Sequence, residues 1–476
     1  MRNSADIKIG ALIPPFPDPT PLLFLFAAAS AILFWVAGMG WAALMLPSIF
    51  LVPVCVYLLS SNISFAIAAV MITAAMPRYF LEISGTKARP EHIVTVLLCL
   101  AAVFIYKRGD ARPRWIFPDL LALGFILANI FSSIFFSIAP AQTFKWSMQQ
   151  TLAVLPYFLI RLLTSNPERF RQAIRVMLLS GTMAAAYGMI CFYSYRLFGT
   201  EFGLDVGQYG EIPGVYGSQF EANLLGSYCG ACFVIMLLMY FRESNRKYLW
   251  GSAITFAGLL ISLSRAAVAA SALALAALLF YVIRSRIATP QLLRRASLVL
   301  LAVTLVLALA IVPLYVERFS SVDISNPIAD DTTKVRVLTL GVAAERSLEH
   351  PVFGSGTNSF QLGFDYEEIG YNVDGGGWIG NTEMRIWHDT GLFGLAIFLA
   401  FLGSLLVRAL RAVRANGPPE LIALLLAAIV YCISFQATDA TILSFPWIHL
   451  GLIAAAVVLA RQHSLSGTKP EAFLAE

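Results

Sequence analysis

Residues 249–283 read LWGSAITFAGLLISLSRAAVAASALALAALLFYVI, thirty-five residues with a single charge, Arg265. A helix that crosses a bilayer needs about 20 predominantly apolar residues. This stretch is long enough for two such helices, and the guanidinium stands where they meet. Runs of the same kind recur along nearly the whole chain. They place spans at 21–39, 41–60, 62–77, 92–106, 117–138, 147–163, 174–196, 223–241, 249–264, 266–283, 297–316, 389–407, 421–435 and 446–460. The expected fold class is all-α: a polytopic helical membrane protein of about 14 transmembrane helices with one large external loop containing short helices. Three regions follow: 1–316 with the spans before the loop, 317–388 as the loop, and 389–476 with the remaining spans and a tail.

Composition agrees. The 476 residues are 58% hydrophobic and 13% charged, with a mean hydropathy of +0.75, whereas soluble domains carry about 25% charge. Five prolines between Pro14 and Pro21 interrupt the approach to the first run, and a removable signal peptide is not expected. Basic residues gather in alternate short loops: Lys107, Arg108, Arg112 and Arg114; Arg161, Arg169, Arg171 and Arg175; Arg242, Arg246 and Lys247; Arg284, Arg286, Arg294 and Arg295; Arg408, Arg411 and Arg414. By the positive-inside rule those loops and both termini are cytoplasmic, and 198–222, 317–388 and 436–445 are external. The net charge of +5 thus reflects topology and excludes a nucleic-acid partner. Segment 78–91 breaks the rule, being external yet carrying Arg78, Lys87 and Arg89. Either a span is miscounted there or those cations serve a ligand.

All six cysteines fall within spans, so no disulfide framework is expected, and Cys229-Gly-Ala-Cys232 reads as packing inside an apolar helix. No tandem or inverted repeat is evident, which argues against repeat-built transporters. No Asp, Glu or Lys lies near the middle of a span, so chemistry is expected at the external surface.

The long loop has two parts. Val335, Leu338, Val342 and Ala343 recur at helical spacing between Lys334 and Glu349, and Pro351 stops the run. From Phe353 to Trp378 the chain is rich in glycine and aromatics, including Tyr366, Tyr371 and Gly375-Gly376-Gly377. That composition fits an interfacial aromatic belt and equally a stacking surface for sugar rings. Against eleven Asp and Glu, the loop holds Arg318, Lys334, Arg336, Arg346 and Arg385. A second external loop, 198–222, is glycine-rich and acidic, with Glu201, Asp205, Glu211 and Glu221.

Arg265 is the only charge at its external turn, where topology disfavours a cation, and Arg336 opens the loop helix. Two forked guanidiniums suit a diphosphate, because each offers paired hydrogen bonds to phosphate oxygens. Glu383, His388 and Asp389, at the membrane-proximal end of the loop, are candidates for a general base or acceptor-positioning group. His388 and Asp389 also suit the start of a helix.

In chain order, Ile261-Ser262-Leu263-Ser264-Arg265-Ala266-Ala267, then Arg336, Pro351-Val352-Phe353-Gly354-Ser355-Gly356 and Gly391-Leu392-Phe393-Gly394 resemble the O-antigen ligase and Wzy-type polymerase superfamily. Tyr216-Gly217-Ser218-Gln219-Phe220-Glu221-Ala222-Asn223 resembles that family's asparagine-bearing approach to an earlier span. The resemblance covers roughly 210–400. It implies a bacterial inner-membrane enzyme that transfers a glycan from undecaprenyl diphosphate to an acceptor glycan or lipid, without a nucleotide sugar, metal or other cofactor. The external loop is then periplasmic. Arg265, Arg336, His388 and Asp389 are the expected catalytic residues; Asn223, Asn381, Glu383 and Arg346 are expected to bind substrate. Expected partners are the lipid-linked glycan, the acceptor, membrane lipids, a flippase and a chain-length regulator. Ligases of the family usually place a His-Asn pair about eleven residues before the Gly-x-x-Gly, where this chain has Gly380-Asn381. That departure favours a polymerase over a ligase acting on lipid A-core or protein. A flippase for lipid-linked sugars is the alternative of a different class.

Overall fold

A computed structural model of the protein describes residues 42–79, 81–83, 86–108, 114–205, 214–320, 331–365, 367, 377–415 and 417–466. The helices are α1 (Ala42–Ser61), α2 (Ile63–Ala74), α3 (Pro90–Lys107), α4 (Phe117–Phe135), α5 (Pro140–Leu163), α6 (Pro167–Phe198), α7 (Ala222–Glu243), α8 (Arg246–Ile261), α9 (Arg265–Arg284), α10 (Pro290–Ser320), α11 (Asp331–Ser347), α12 (Phe360–Gly363), α13 (Thr382–Arg414), α14 (Glu420–Ser434) and α15 (Ser444–Ser466). Two antiparallel ribbons accompany them, β1 (Leu81–Ile83) with β2 (Thr86–Ala88), and β3 (Leu204–Asp205) with β4 (Gly214–Val215).

The chain is an all-α, multi-pass membrane protein. Every expected span from 41–60 onward falls on one of these helices, and the expected span 21–39 lies outside the described residues. Eight described helices are long and apolar enough to cross a membrane, or nine if a bent pair counts as one. That is fewer than the fourteen or so apolar runs in the sequence, for physical reasons. Helices α1 and α2 bend by 113° about Asn62, whose side chain caps α2 by accepting the Phe65 N–H at 3.0 Å. Helices α8 and α14 have 16 and 15 residues, roughly 22–24 Å at about 1.5 Å per residue, against a hydrocarbon core of about 30 Å. Helix α5 is long enough but carries Gln142, Lys145, Gln149 and Gln150 in its N-terminal half.

Helix ends follow local chemistry. Asn166 caps α6, accepting the Arg169 N–H at 2.9 Å with Pro167 in the first turn, and Gly199 ends the helix at φ 69°. Helix α7 is the centre of the bundle: every residue from Leu224 to Phe241 is buried, against α6, α8, α9 and α14. Small residues permit the close approach. A Cβ on Gly230 would stand 2.1 Å from Ser271 Oγ of α9, and one on Gly258 of α8 would stand 2.6 Å from Ala185 of α6. Cys229 and Cys232 are buried thiols of this seam, and Cys232 packs over Gly181. On the other side, α4 packs on α5 and α13, and α15 on α5. The ends of that layer are tied by Asp119, which accepts from Tyr157 at 2.7 Å and pairs with Arg161.

The expected loop helix is α11, although its buried stripe is Val335, Thr339, Ala343 and Ser347, while Leu338 faces outward. Ala343 joins Phe360, Phe364 and Ile379 in a small core outside the helical bundle. Phe353 packs on Phe136 and Phe393, and Phe360 on Phe364. These aromatics of the loop therefore serve packing. Tyr366, Tyr371, Gly375 and Gly376 lie outside the described residues.

Helix α13 breaks at Gly391, where φ is 66° and ψ −174°. The break frees two carbonyls and two N–H groups, and segment 351–356 takes all four. Ser355 and Gly356 donate to the carbonyls of His388 and Asp389 at 2.9 and 3.0 Å, while Leu392 and Phe393 donate to Pro351 and Val352 at 2.8 and 3.0 Å. Such pairing is needed because unpaired buried backbone groups are costly. It also requires contact between bare backbones: a Cβ on Gly391 would meet Val352 at 2.2 Å, and one on Gly354 would meet Asp389 at 2.5 Å. The two glycine motifs, some forty positions apart, are halves of one joint.

Candidate functional site

The joint orients the first turns of α13, and the segment 436–443 between α14 and α15 gathers the elements around it. Asn381 caps α13, accepting the Met384 N–H at 2.9 Å, and its own amide donates to the Gln436 side chain at 3.0 Å. Gln436 in turn donates to Glu383 at 3.0 Å. Ala437 O accepts from Asn223 Nδ2 at 3.4 Å. Thr438 Oγ1 donates to Glu221 Oε2 at 2.8 Å. Asp439 accepts from Thr382 at 3.3 Å and pairs with Arg385. Ile442 O accepts from Arg89 Nη1 at 3.0 Å.

Arg265 is the first residue of α9, directly after its cap Ser264, whose hydroxyl accepts the Ala267 N–H at 3.2 Å. The same hydroxyl donates to Asn223 Oδ1 at 2.6 Å. The starts of α7 and α9 are thus locked together, with Arg265, Asn223 and Glu221 at one end of the bundle. Arg336 of α11 lies within electrostatic reach of Glu221. Arg265, Arg336, Asn223, Asn381, Glu383, Arg346 and Glu221 are all partly exposed. Burial pushes the Glu221 carboxyl above its ordinary range; Thr438 and Arg336 oppose the rise, and Asp439 and Asp205 add to it.

Other expected site residues are placed differently. His388 and Asp389 are 3% and 4% exposed. Asp389 Oδ2 accepts the Asn358 N–H at 2.8 Å and pairs with Arg385 at 3.4 Å, and Oδ1 lies 3.2 Å from His388 Nδ1. The His388 ring meets Phe360 edge-on at 5.4 Å. Arg346 lies 5.5 and 5.6 Å from the ring centroids of Phe360 and Phe364. Arg385 lies 4.4 Å from the Trp378 centroid.

The cations that broke the topological rule have defined places. Arg78 stacks on Tyr216 at 3.6 Å and donates to Phe220 O at 3.3 Å. Arg89, 4.9 Å from the Phe220 ring centroid, pairs with Glu91 at 3.5 Å. Burial lowers its pKa against the pull of Glu91, and nearby Arg385 adds to the lowering. Both arginines thus brace segment 216–220, which leads into Glu221 and Asn223. Lys87 has no described side chain.

Sequence reading missed Asp439 and Thr438, which sit in a loop noticed only for its lack of cations. It counted Arg385 and Glu221 among loop charges without giving them roles. The available signal was an acidic residue in a short loop between two apolar runs.

Residues 250–399 match the family described as O-antigen ligase, Wzy_C, and the chain is similar to the O-antigen ligase and Wzy-type superfamily. The matched stretch holds Arg265, Arg336, Arg346, Asn381, Glu383, His388, Asp389 and both halves of the glycine joint. Glu221, Asn223 and Asp439 lie outside it. No curated protein matches the chain.

Proposed function

We propose, for a chain whose residues 250–399 match an O-antigen ligase family, that the protein is a glycosyltransferase of the bacterial inner membrane. It polymerises undecaprenyl-diphosphate-linked oligosaccharide units into an exopolysaccharide, capsule or O-antigen. Both termini are cytoplasmic and 317–388 is periplasmic, an orientation that the basic loops favour. The observation that carries the reading is the Ser264–Asn223 lock, which brings Arg265 to the patch that Arg336 also approaches.

In the transfer, an acceptor hydroxyl attacks C1 of the donor sugar and the C1–O bond to phosphate breaks. The electron pair leaves with the undecaprenyl diphosphate. Negative charge grows on that leaving group, and fixed guanidiniums beside it, the role given to Arg265 and Arg336, lower the barrier. The positive N-terminal ends of α7 and α9 act in the same sense. Asn223, Asn381 and Glu383 offer amide and carboxylate contacts to sugar hydroxyls. Buried His388 and Asp389 support the site by holding the α13 break, and Arg346 does so from the loop core.

A ligase reading is kept by the family's description. Asn381 occupies the register of the ligase asparagine, as cap of α13, but Gly380 stands where the ligase histidine would. The lipid-linked pool of a strain lacking the protein separates the readings. Single repeat units on the lipid indicate a missing polymerase; long chains still on the lipid indicate a missing ligase. Arg265→Ala and Arg336→Ala variants present at normal levels are expected to make less than a tenth of the wild-type polymer. Wild-type output from both variants would remove these residues from the site.

A further inference from the structure

We propose that Glu221 is the catalytic base that takes the proton from the attacking acceptor hydroxyl. The inference rests on the glycosyl-transfer reading above and names a group for a step that reading leaves open. Transfer from a glycosyl diphosphate makes one O–C1 bond, breaks one C1–O bond and releases one proton. Among the other candidates, Gly380 has no side chain, and His388 and Asp389 are sealed in the α13 joint with Arg385, Asn358 and Phe360. Glu383 is partly exposed, but both of its carboxylate oxygens accept from the Gln436 amide.

Glu221 differs in three respects. It is the residue before α7 yet forms no side-chain cap to that helix. Its carboxylate instead points to Thr438, so one oxygen is held by a neutral donor. It stands two residues from Asn223, whose amide is locked to Ser264 beside Arg265. The proton acceptor therefore sits on the segment that is tied to the start of α9, where Arg265 stands, and Arg336 of α11 lies within electrostatic reach of it.

The charged neighbours tune the group. Arg336 on α11 and the Thr438 hydroxyl favour the carboxylate, while burial, Asp439 after α14 and Asp205 on β3 favour the acid. The net rise brings the base closer to neutral pH, where proton transfer is most effective. On the acid side, the carboxylate fraction and the rate fall together as pH drops through the raised pKa.

The test uses full-length protein in bilayer discs and lipid-linked units extracted from a strain lacking the protein, with chain extension followed on gels. If wild-type protein fails to extend the units, the polymerase reading falls and takes this inference with it. With wild type active, Glu221→Gln is expected to lower kcat 100-fold or more with little change in KM, and Glu221→Asp to restore part of it. Arg265→Ala is expected to raise KM as well. Thr438→Val, which removes one hydrogen bond and keeps the carboxylate, is expected to retain kcat at high pH. It should move the acid limb of the profile to higher pH, because the lost bond had stabilised the carboxylate. The proposal is overturned if Glu221→Gln keeps kcat within threefold of wild type. It is equally overturned if folded Thr438→Val shows an unmoved acid limb.

Discussion

At the scale of single residues, Arg385 is the point where charge and architecture meet. Its guanidinium is 3% exposed and satisfied by Asp439, Asp389, the Asn358 side chain and the Trp378 ring. Removing one partner of a buried pair costs about 3–5 kcal/mol where the other charge is left uncompensated, and part of that cost applies here because Asp389 stays paired with Arg385. Asp439→Ala is accordingly expected to lower the thermal midpoint in detergent markedly and to loosen the 436–443 segment. Asp365→Ala, at an exposed loop carboxylate, is expected to leave the midpoint nearly unchanged. Arg265 and Arg336 behave oppositely: both are partly exposed, so their alanine variants should fold and fail in transfer. The sequence singled out Arg265 because it stands where topology disfavours a cation, and Arg336 because it opens the loop helix. Asp439 was not legible, since its meaning depends on a guanidinium 54 positions earlier.

At the scale of elements, the broken helix α13 and segment 351–356 form a joint in which both glycines are required. Gly391 needs a left-handed φ, and an L side chain there costs about 1–2 kcal/mol in backbone strain alone. It would also overlap the Val352 carbonyl at 2.2 Å. Gly391→Ala and Gly354→Ala are expected to reduce both folded yield and transfer. Gly403→Ala serves as the control, because it lies in the same helix with nothing within 4 Å of its added Cβ. Equal yield from Gly391→Ala and Gly403→Ala would show that the break is dispensable. The sequence exposed the two motifs and their order. It did not show that one completes the hydrogen bonds of the other, because that pairing joins residues about forty positions apart.

At the scale of the whole molecule, the arrangement is a buried helix α7 ringed by neighbours, with a small separate core around α11 and α12. Basic residues at the ends of α3, α9 and α13 predict the side to which those ends project. Reporter fusions after Lys107, Arg284 and Arg414 are expected to read cytoplasmic, and a fusion at Asp365 to read external. An external signal after Arg284 would invert the proposed topology and place Arg265 on the wrong face for an external donor.

The sequence by itself determined the membrane class and the positions of the long apolar helices, and it singled out Arg265. Those properties depend on local hydropathy and on charges set against a topological rule, and both are visible in one dimension. Tertiary structure alone decided that α8 and α14 are short helices and that His388 and Asp389 lie inside a joint. It also decided that Glu221 meets Thr438 across 217 positions. Contacts of this kind come from the packing of distant segments, and a carboxylate's role depends on which hydroxyl, guanidinium or amide the fold carries to it.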